Sequence, residues 1–382
     1  MRGDVKAAQP YPYKTVTRRL RAGTQGPRKS GTIGGLGSAN LLGCAGSRRA
    51  SATRHHRERL GMTLKAMVVF GGAGFIGSHL LRSLAEHGTH RLISVDIREP
   101  RMRVPGVDYR LHDVRDLSRL RVDAPIDRIY NLAAVHTTPG HPTHEYYETN
   151  IRGATEVTAF ARRCAAGFIV FTSSISVYGP SEEPKSEATP PAPTSAYGWS
   201  KWLAEGIHRA WVEEDDRRRL VICRPAVIFG HKEGGNFTRL AHLLKKGVFI
   251  YPGRKDTIKS CFYVGDLLQA IEFATLQNDK YILFNGCYPE RYTLEDIVTI
   301  FRSNHFPKAR TYVIPRQLVL GLAQVLKPMS KAGIGIHPDR VMKLVRSTDV
   351  LPGWLESRGQ AQPHRLASAL DRWKSDSSGS FD

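Results

Sequence analysis

Cysteine is scarce: five residues (Cys44, Cys164, Cys223, Cys261, Cys287) are scattered over 382 positions, with no Cys-x-x-Cys and no histidine at ligand spacing. That distribution fits neither a disulfide framework nor a zinc site, so no metal is expected and a reducing cytoplasm is the expected home. Long hydrophobic runs are missing too. The longest apolar stretch, YVIPRQLVLGLAQVL (312–326), is interrupted by Pro315, Arg316, Gln317 and Gln324 and is too short to span a bilayer. A buried or interface helix is expected there, with contact to a membrane surface as the alternative. Acidic residues are also few, 35 against 56 Lys and Arg, which leaves a formal charge of +21. Residues 1–61 alone hold thirteen Lys and Arg against Asp4 and Glu58, a net +11. A ligand carrying a diphosphate explains the remaining +10 as well as nucleic acid would, so no nucleic-acid partner is expected.

The first 61 residues are rich in Gly, Arg and Ser and show no sustained apolar period, so they are expected to be a disordered basic extension. An upstream start before Met62 or Met67, a basic tail and an organellar presequence are the three readings of this segment. Beyond residue 61 the pattern changes. With 41% hydrophobic and 9% aromatic residues, the chain has material for a core, and its length allows two domains.

The segment LKAMVVFGGAGFIGSHLLRSLAEHG begins with an apolar run, Ala66 to Phe70, that reads as a buried strand. Gly71, Gly74 and Gly77 come next in G-x-x-G-x-x-G spacing, then Ile76, Leu80, Leu81 and Leu84 at helical spacing, and Gly88 closes the helix. Glycines at a strand-to-helix turn let the backbone approach a pyrophosphate seated on the free N–H groups of the helix start. In RLISVDIREP, Asp96 ends the next strand nineteen residues after Gly77. An acid there accepts hydrogen bonds from ribose hydroxyls and repels a 2′-phosphate, which favours NAD over NADP, although Arg98 and Arg101 stand nearby. Asp113 is placed to meet the adenine amino group. A fourth strand, Ile126 to Leu132, leads to Ala133 and Ala134, whose small side chains let the backbone pass close to a cofactor. A helix at 144–165 and a fifth strand in AAGFIVFTSS continue the alternation, which implies an α/β, doubly wound parallel Rossmann-type sheet.

In SAYGWSKW (195–202), Tyr197 and Lys201 lie four apart, one helical turn, so both project from one face. Taken alone, the pair is either surface decoration or a phenol tuned to move a proton. A free tyrosine has a pKa of about 10, and lowering it by about 3 units takes about 4 kcal/mol. One positive charge about 4 Å away supplies roughly that at an effective dielectric near 20.

Together, GGAGFIG, Asp96, Asp113, NLAA, TSSISVYG, YGWSK and RPAVIFG resemble the extended short-chain dehydrogenase/reductase superfamily, and within it the NAD-dependent epimerase/dehydratase branch acting on nucleotide sugars. The resemblance covers about residues 66–375. It implies Ser174, Tyr197 and Lys201 as the catalytic set: Tyr197 carries the proton, Lys201 lowers its pKa and holds the nicotinamide ribose, and Ser174 orients the reacting hydroxyl. It implies an NAD site of Gly71, Gly74, Phe75, Ile76, Gly77, Asp96, Asp113, Val114, Leu132, Ala133, Ala134, Tyr197, Lys201 and Pro225. It assigns Asn150 to bracing the active-site backbone. It brings His136, Ser174, Asn236 and Lys259 to the substrate, with His136 and His141 also readable as ordinary loop histidines. Lys259 stands where many relatives carry an arginine on the diphosphate, which keeps the charge and loses the bidentate fork.

The implied organisation is an NAD-binding domain over 62–230, a smaller substrate-binding lobe mainly over 231–375 and interleaved with it, and a disordered tail at 376–382. In that lobe YVGD (263–266) is read as a strand-to-helix return with Asp266 as a helix cap. The branch's dehydratases place Asp and Glu directly after the reactive Ser or Thr, and its decarboxylating members keep the second acid. Ile175 and Ser176 stand here instead, which disfavours elimination and decarboxylation. An NAD-dependent nucleotide-sugar epimerase, acting at C4 through a keto intermediate on a UDP-sugar, is the leading expectation, with a homodimer as its form. A reductase of a nucleotide-linked 4-keto sugar and a non-catalytic nucleotide-binding protein are the alternatives.

Overall fold

The structure, a computed structural model, describes residues 64–138, 140–315 and 346–382. The expectations for residues 1–61, for 316–326 of the apolar stretch and for 340–345 of the closing segment lie outside the described residues. In chain order the first half runs β1 (Ala66–Phe70), α1 (Phe75–His87), β2 (Arg91–Asp96), β3 (Val107–Leu111), β4 (Ile126–Asn131), α2 (Thr143–Arg163), β5 (Phe168–Thr172), β6 (Ser181–Lys185), α3 (Ala196–Glu213) and β7 (Arg219–Pro225). The second half adds β8 (Val227–Phe229), α4 (Asn236–Lys245), β9 (Val248–Gly253), β10 (Cys261–Tyr263), α5 (Val264–Leu276) and β11 (Tyr281–Gly286). It closes with α6 (Leu294–Asn304), β12 (Arg310–Pro315), β13 (Thr348–Val350), α7 (Gly353–Ser357) and α8 (Arg365–Asp376).

Seven strands form one parallel sheet in the order β11-β7-β5-β4-β1-β2-β3. Strands covered on both faces need no polar alternation, and β1 (AMVVF) and β5 (FIVFT) are buried at every position. Their side chains divide between two cores. Val68, Phe70, Ile169 and Phe171 pack with Val157 and Phe160 of α2 and Ala204 and Trp211 of α3. Met67, Val69 and Val170 pack with Leu80 and Leu81 of α1 and Leu267 and Ile271 of α5. The sheet is therefore doubly wound, and strand order reverses between β1 and β4, which opens a crevice at their C-terminal ends.

The seventh strand, β11, comes from the C-terminal half, so the two halves are interleaved through the sheet. Three parallel strand pairs lie outside it: β8 with β10, β9 with β12, and β6 with β13. Two expectations are corrected here. Residues 312–315, expected as the start of a helix, belong to β12, because their backbone completes a ladder with β9. The tail at 376–382, expected to be disordered, folds back: Gly379 adopts φ +83°, and Phe381 is buried edge-on against Trp373, 5.2 Å between ring centroids. An aromatic side chain within reach of an apolar hollow outweighs the small polar residues around it.

Candidate active site

Two glycines shape the crevice. Gly71 has φ +81°, and a Cβ there would lie 2.6 Å from the Ala133 nitrogen and 2.8 Å from the Leu132 carbonyl carbon. A Cβ on Gly77 would lie 2.2 Å from the Gly71 oxygen. Only glycine permits this closeness between the β1 turn, the start of α1 and the segment after β4. Gly74 caps α1 without a side-chain hydrogen bond, which leaves the N–H groups of the first turn to an anion. At the end of β2, the Asp96 carboxylate accepts from the Ala73 and Arg98 N–H groups, each at 3.1 Å, and is held beside that turn. This cradle and its acid fit a dinucleotide with free ribose hydroxyls. Asp113 is bridged by the Arg115 guanidinium at 2.6 Å, which holds its carboxyl below the usual range.

Two further elements bring the catalytic candidates together. After β5, Ser174 caps a short 3-10 turn, Ile175–Tyr178, its Oγ accepting from the Ser176 N–H at 3.1 Å. On α3, Ser195 caps the helix and places Tyr197 in its first turn and Lys201 in its second. A Cβ on Gly198 would meet the Ser176 carbonyl oxygen at 2.4 Å, so glycine lets α3 seat directly on the turn that carries Ser174. The Ser174 hydroxyl lies near enough to Tyr197 to draw the phenol's pKa down. Asn150 on α2 braces the site: its amide bonds both the N–H and the C=O of Val135, at 2.9 and 3.1 Å, and donates to Ser200 Oγ at 2.8 Å.

The electrostatics differ from the expected Tyr–Lys coupling. Burial raises the Tyr197 phenol to about 12, with the Ser174 hydroxyl pulling the other way. Lys201 is 2% exposed; its Nζ donates to the Thr172 carbonyl at 2.7 Å and lies 4.7 Å from the centre of the Phe171 ring. Burial depresses it to about 7, against the pull of Glu205. Without a bound cation the same desolvation acts against the charged form of both groups.

Glu205 and Arg224 have no counterpart among the residues expected from the sequence. Glu205, one turn beyond Lys201 and fully buried, accepts from Ser173 Oγ at 2.6 Å and from Arg224 Nε and Nη2 at 2.8 and 2.7 Å. Arg224 Nη1 also donates to the Tyr178 hydroxyl at 2.7 Å, which donates to Asn285 Oδ1 at 3.0 Å. The pair thus holds both ends of the loop carrying Ser174. The continued spacing of four, 197-201-205, was the available signal.

The remaining candidates divide. His136 feels Lys201, and burial first and that charge second lower its pKa. His141 instead pairs with Glu145 at 2.7 Å near the surface. Val114 and Leu132 pack into the cores, and Pro225 ends β7. Asn236 is the first residue of α4 and is exposed. Lys259 donates to the Arg346 carbonyl at 2.5 Å, and burial brings its pKa down to about 8, so it is more than a solvated surface cation. Asp266 is not the cap of α5, which is Tyr263; its buried carboxylate accepts from the Tyr288 hydroxyl at 2.7 Å and Arg372 at 2.6 Å. No helix of the described residues is long and apolar enough to cross a membrane.

Sheet, glycine cradle and acid define an NAD-dependent enzyme of the extended short-chain dehydrogenase/reductase type. The description "NAD dependent epimerase/dehydratase family" matches residues 67–285, and the chain belongs to that family. One relative, the N-acetyl-alpha-D-glucosaminyl-diphospho-ditrans,octacis-undecaprenol 4-epimerase of Escherichia coli O157:H7, is 29% identical over 313 residues, 80% of this chain and 93% of that protein. A UDP-glucose 4-epimerase of Neisseria meningitidis serogroup B is 32% identical over 189 residues, but the match takes in 45% of this chain and 56% of that protein. Among solved structures, the UDP-Glc/GlcNAc 4-epimerase of Campylobacter jejuni superposes with a TM-score of 0.63 at 17% identity over 83% of this chain and 99% of its own, and so shares the fold. A crystal structure of UDP-galactose 4-epimerase gives 0.62 at 21% identity over 81% and 98%.

Proposed function

We propose that the chain inverts the C4 hydroxyl of a sugar carried on a diphosphate, with Ser174, Tyr197 and Lys201 as its catalytic residues and the cradle of Gly71 to Gly77 with Asp96 and Asp113 as its NAD site. The observation that carries this reading is Tyr197 one helical turn from Lys201 on a helix that seats, at Gly198, on the turn carrying Ser174, with no Asp or Glu directly after Ser174. NAD, when bound, supplies a hydride acceptor that can give the hydride back. Ser174 holds the C4 oxygen while the Tyr197 phenolate takes its proton and the C4 hydride departs, leaving a ketone. Tyr197 then returns the proton as hydride comes back to the opposite face of C4, so no net oxidation occurs. Lys201 holds the nicotinamide ribose and lends its charge to the phenolate. Asn236, Lys259 and His136 line the sugar-diphosphate side, within a lobe built mainly from 231–375. Three buried, unpaired thiols, Cys223, Cys261 and Cys287, support a reducing compartment such as the cytoplasm.

UDP is the first reading for what lies beyond the distal phosphate, as in the names of several relatives. A second reading, a polyprenol, is favoured by one observation: similarity to the undecaprenol-linked enzyme takes in 80% of this chain, whereas the UDP-glucose 4-epimerase matches stop near 45%. The test is to incubate the purified protein, with no added cofactor, with UDP-hexoses and with short-chain polyprenyl-diphospho-N-acetylhexosamines and to separate the products. Epimer from one substrate alone is expected; conversion only of a keto sugar with NADH would sink the epimerase reading. Tyr197→Phe should lower turnover by about 10²- to 10⁴-fold with NAD still bound.

A homodimer is also proposed. On α3, Trp199 and Leu203 are each 45% exposed, and Ile207 and Ala210 continue that stripe. On α2, Tyr147, Ile151, Thr155 and Ala159 form a second stripe at spacing four, and the two helices pack side by side. Leu203→Glu should halve the mass seen by light scattering; an unchanged mass refutes this interface.

A further inference from the structure

Five of the eleven large apolar side chains exposed among the described residues gather on one small part of the molecule: Leu243, Val248, Ile250, Tyr312 and Val313, at 42 to 52% exposure. Four of them belong to the β9–β12 pair, of which Val313, opposite Tyr251 in the ladder, lies on the other side from the remaining three. The ladder sets Ile250 opposite Tyr312 and Val248 opposite Arg310, and partners in a parallel ladder share a face. The alternate residues, Phe249 and Tyr251, stack edge-to-face at 5.0 Å and point into the core. Val248, Ile250 and Tyr312 therefore face away from it.

Cations dominate the two chain segments that form this face, the nearby Glu295 being paired with Lys255. Among the described residues no acid occurs between Glu233 and Asp256, nor from Ile297 to Pro315, and these two stretches meet at this ladder. Lys245, Lys246, Lys308 and Arg310 are all exposed on its margin. Arg310 is joined to the turn before β9 by its backbone, its N–H donating to the Gly247 carbonyl at 2.8 Å. An apolar centre rimmed by cations is the chemistry that recognises an anionic lipid surface: aliphatic and tyrosine side chains enter the headgroup region while lysine and arginine meet phosphates.

We infer that the β9–β12 face docks the enzyme on an anionic phospholipid bilayer. The inference deepens the polyprenol reading and rests on it, since a substrate anchored in a membrane requires an enzyme that works at its surface. A second copy of the chain is the weaker occupant, because a two-fold contact through this face would bring two cationic rims together. Nucleic acid is weaker too, because the middle of the face is aliphatic and its cations lie at the edge.

The test is flotation of the full chain, loaded with NAD, with vesicles of phosphatidylcholine alone or mixed with phosphatidylglycerol. The protein should float with the mixed vesicles and about tenfold less with phosphatidylcholine alone. The double variant Ile250→Ser/Tyr312→Ser should lose flotation about tenfold while its circular dichroism and its NAD binding stay unchanged. Should that variant fail to fold, Lys245→Gln/Lys246→Gln/Arg310→Gln should float equally poorly with both vesicles. Wild-type protein that stays unbound, or a folded double variant that floats like wild type, overturns the inference. A double variant of changed mass does so as well, by making the face a contact between copies. Flotation needs no sugar, so its failure leaves the epimerase reading standing, and inactivity on every sugar leaves flotation intact.

Discussion

At the scale of single residues, Lys201 and Tyr197 are buried together, and burial moves the lysine to about 7 and the tyrosine to about 12. A phenol near 12 is a poor base at neutral pH, and a lysine near 7 is only partly charged there, so it lends the phenol little positive charge. Under the proposed function, a bound oxidised nicotinamide would supply positive charge that favours the phenolate which desolvation disfavours. The lysine leaves a signature in the cofactor-free protein. An unfolded Lys201 titrates near 10.5, so between pH ~7 and ~10 the unfolded chain binds the extra proton. Stability should therefore rise with pH across that window as far as Lys201 contributes, and the penalty of burying its charge is complete below pH ~7. Lys201→Met should abolish turnover and, in urea melts of cofactor-free protein, flatten that rise. Equal slopes for the two proteins would show that Lys201 keeps its proton on folding.

At the scale of elements, the site depends on α3 lying against the turn after β5. The contact is backbone to backbone at Gly198, where a Cβ would come within 2.4 Å of the Ser176 carbonyl. Gly198→Ala suits a helix by intrinsic propensity, by about 1 kcal/mol. It should nevertheless cost activity at least tenfold, because a carbonyl cannot swing aside as a side chain can and Ser174 would part from Tyr197. Near-normal melting with lost turnover is the expected result, and full activity would mean that the turn yields freely. This seat was not legible in the sequence, which identified the pair on α3 and Ser174 but not what presses them together. Strands β1 to β5 and the cradle were legible because apolar runs and glycine spacing are local signals. Strand β11 was not, since YILFNG becomes a sheet strand only by pairing with β7 across more than fifty residues. The Glu205–Arg224 pairing is hidden for the same reason: the spacing of four puts Glu205 on the Tyr197–Lys201 face, but nothing local points to Arg224 as its buried partner.

At the scale of the whole molecule, residues 376–382 contribute to the core of the substrate lobe. Residues 376–382, DSSGSFD, look polar enough to stay in solvent, yet Phe381 is 1% exposed among Trp373, Phe301, His305 and Phe306. The turn that delivers it is secured by Ser377, whose Oγ accepts from the Phe381 N–H at 3.0 Å. This core also contains Phe229 and Phe237, so the tail reaches the side of the lobe on which α4 begins with Asn236. Phe381→Ala should lower stability by about 3 kcal/mol, the low end for a buried phenylalanine. The sharper expectation concerns function: if the aromatic cluster fixes α4, the variant should raise KM for the sugar diphosphate with little change in NAD affinity. A variant that loses stability while keeping KM would confine the tail to packing, and one that keeps its melting temperature would mean that Phe381 is not held there in solution.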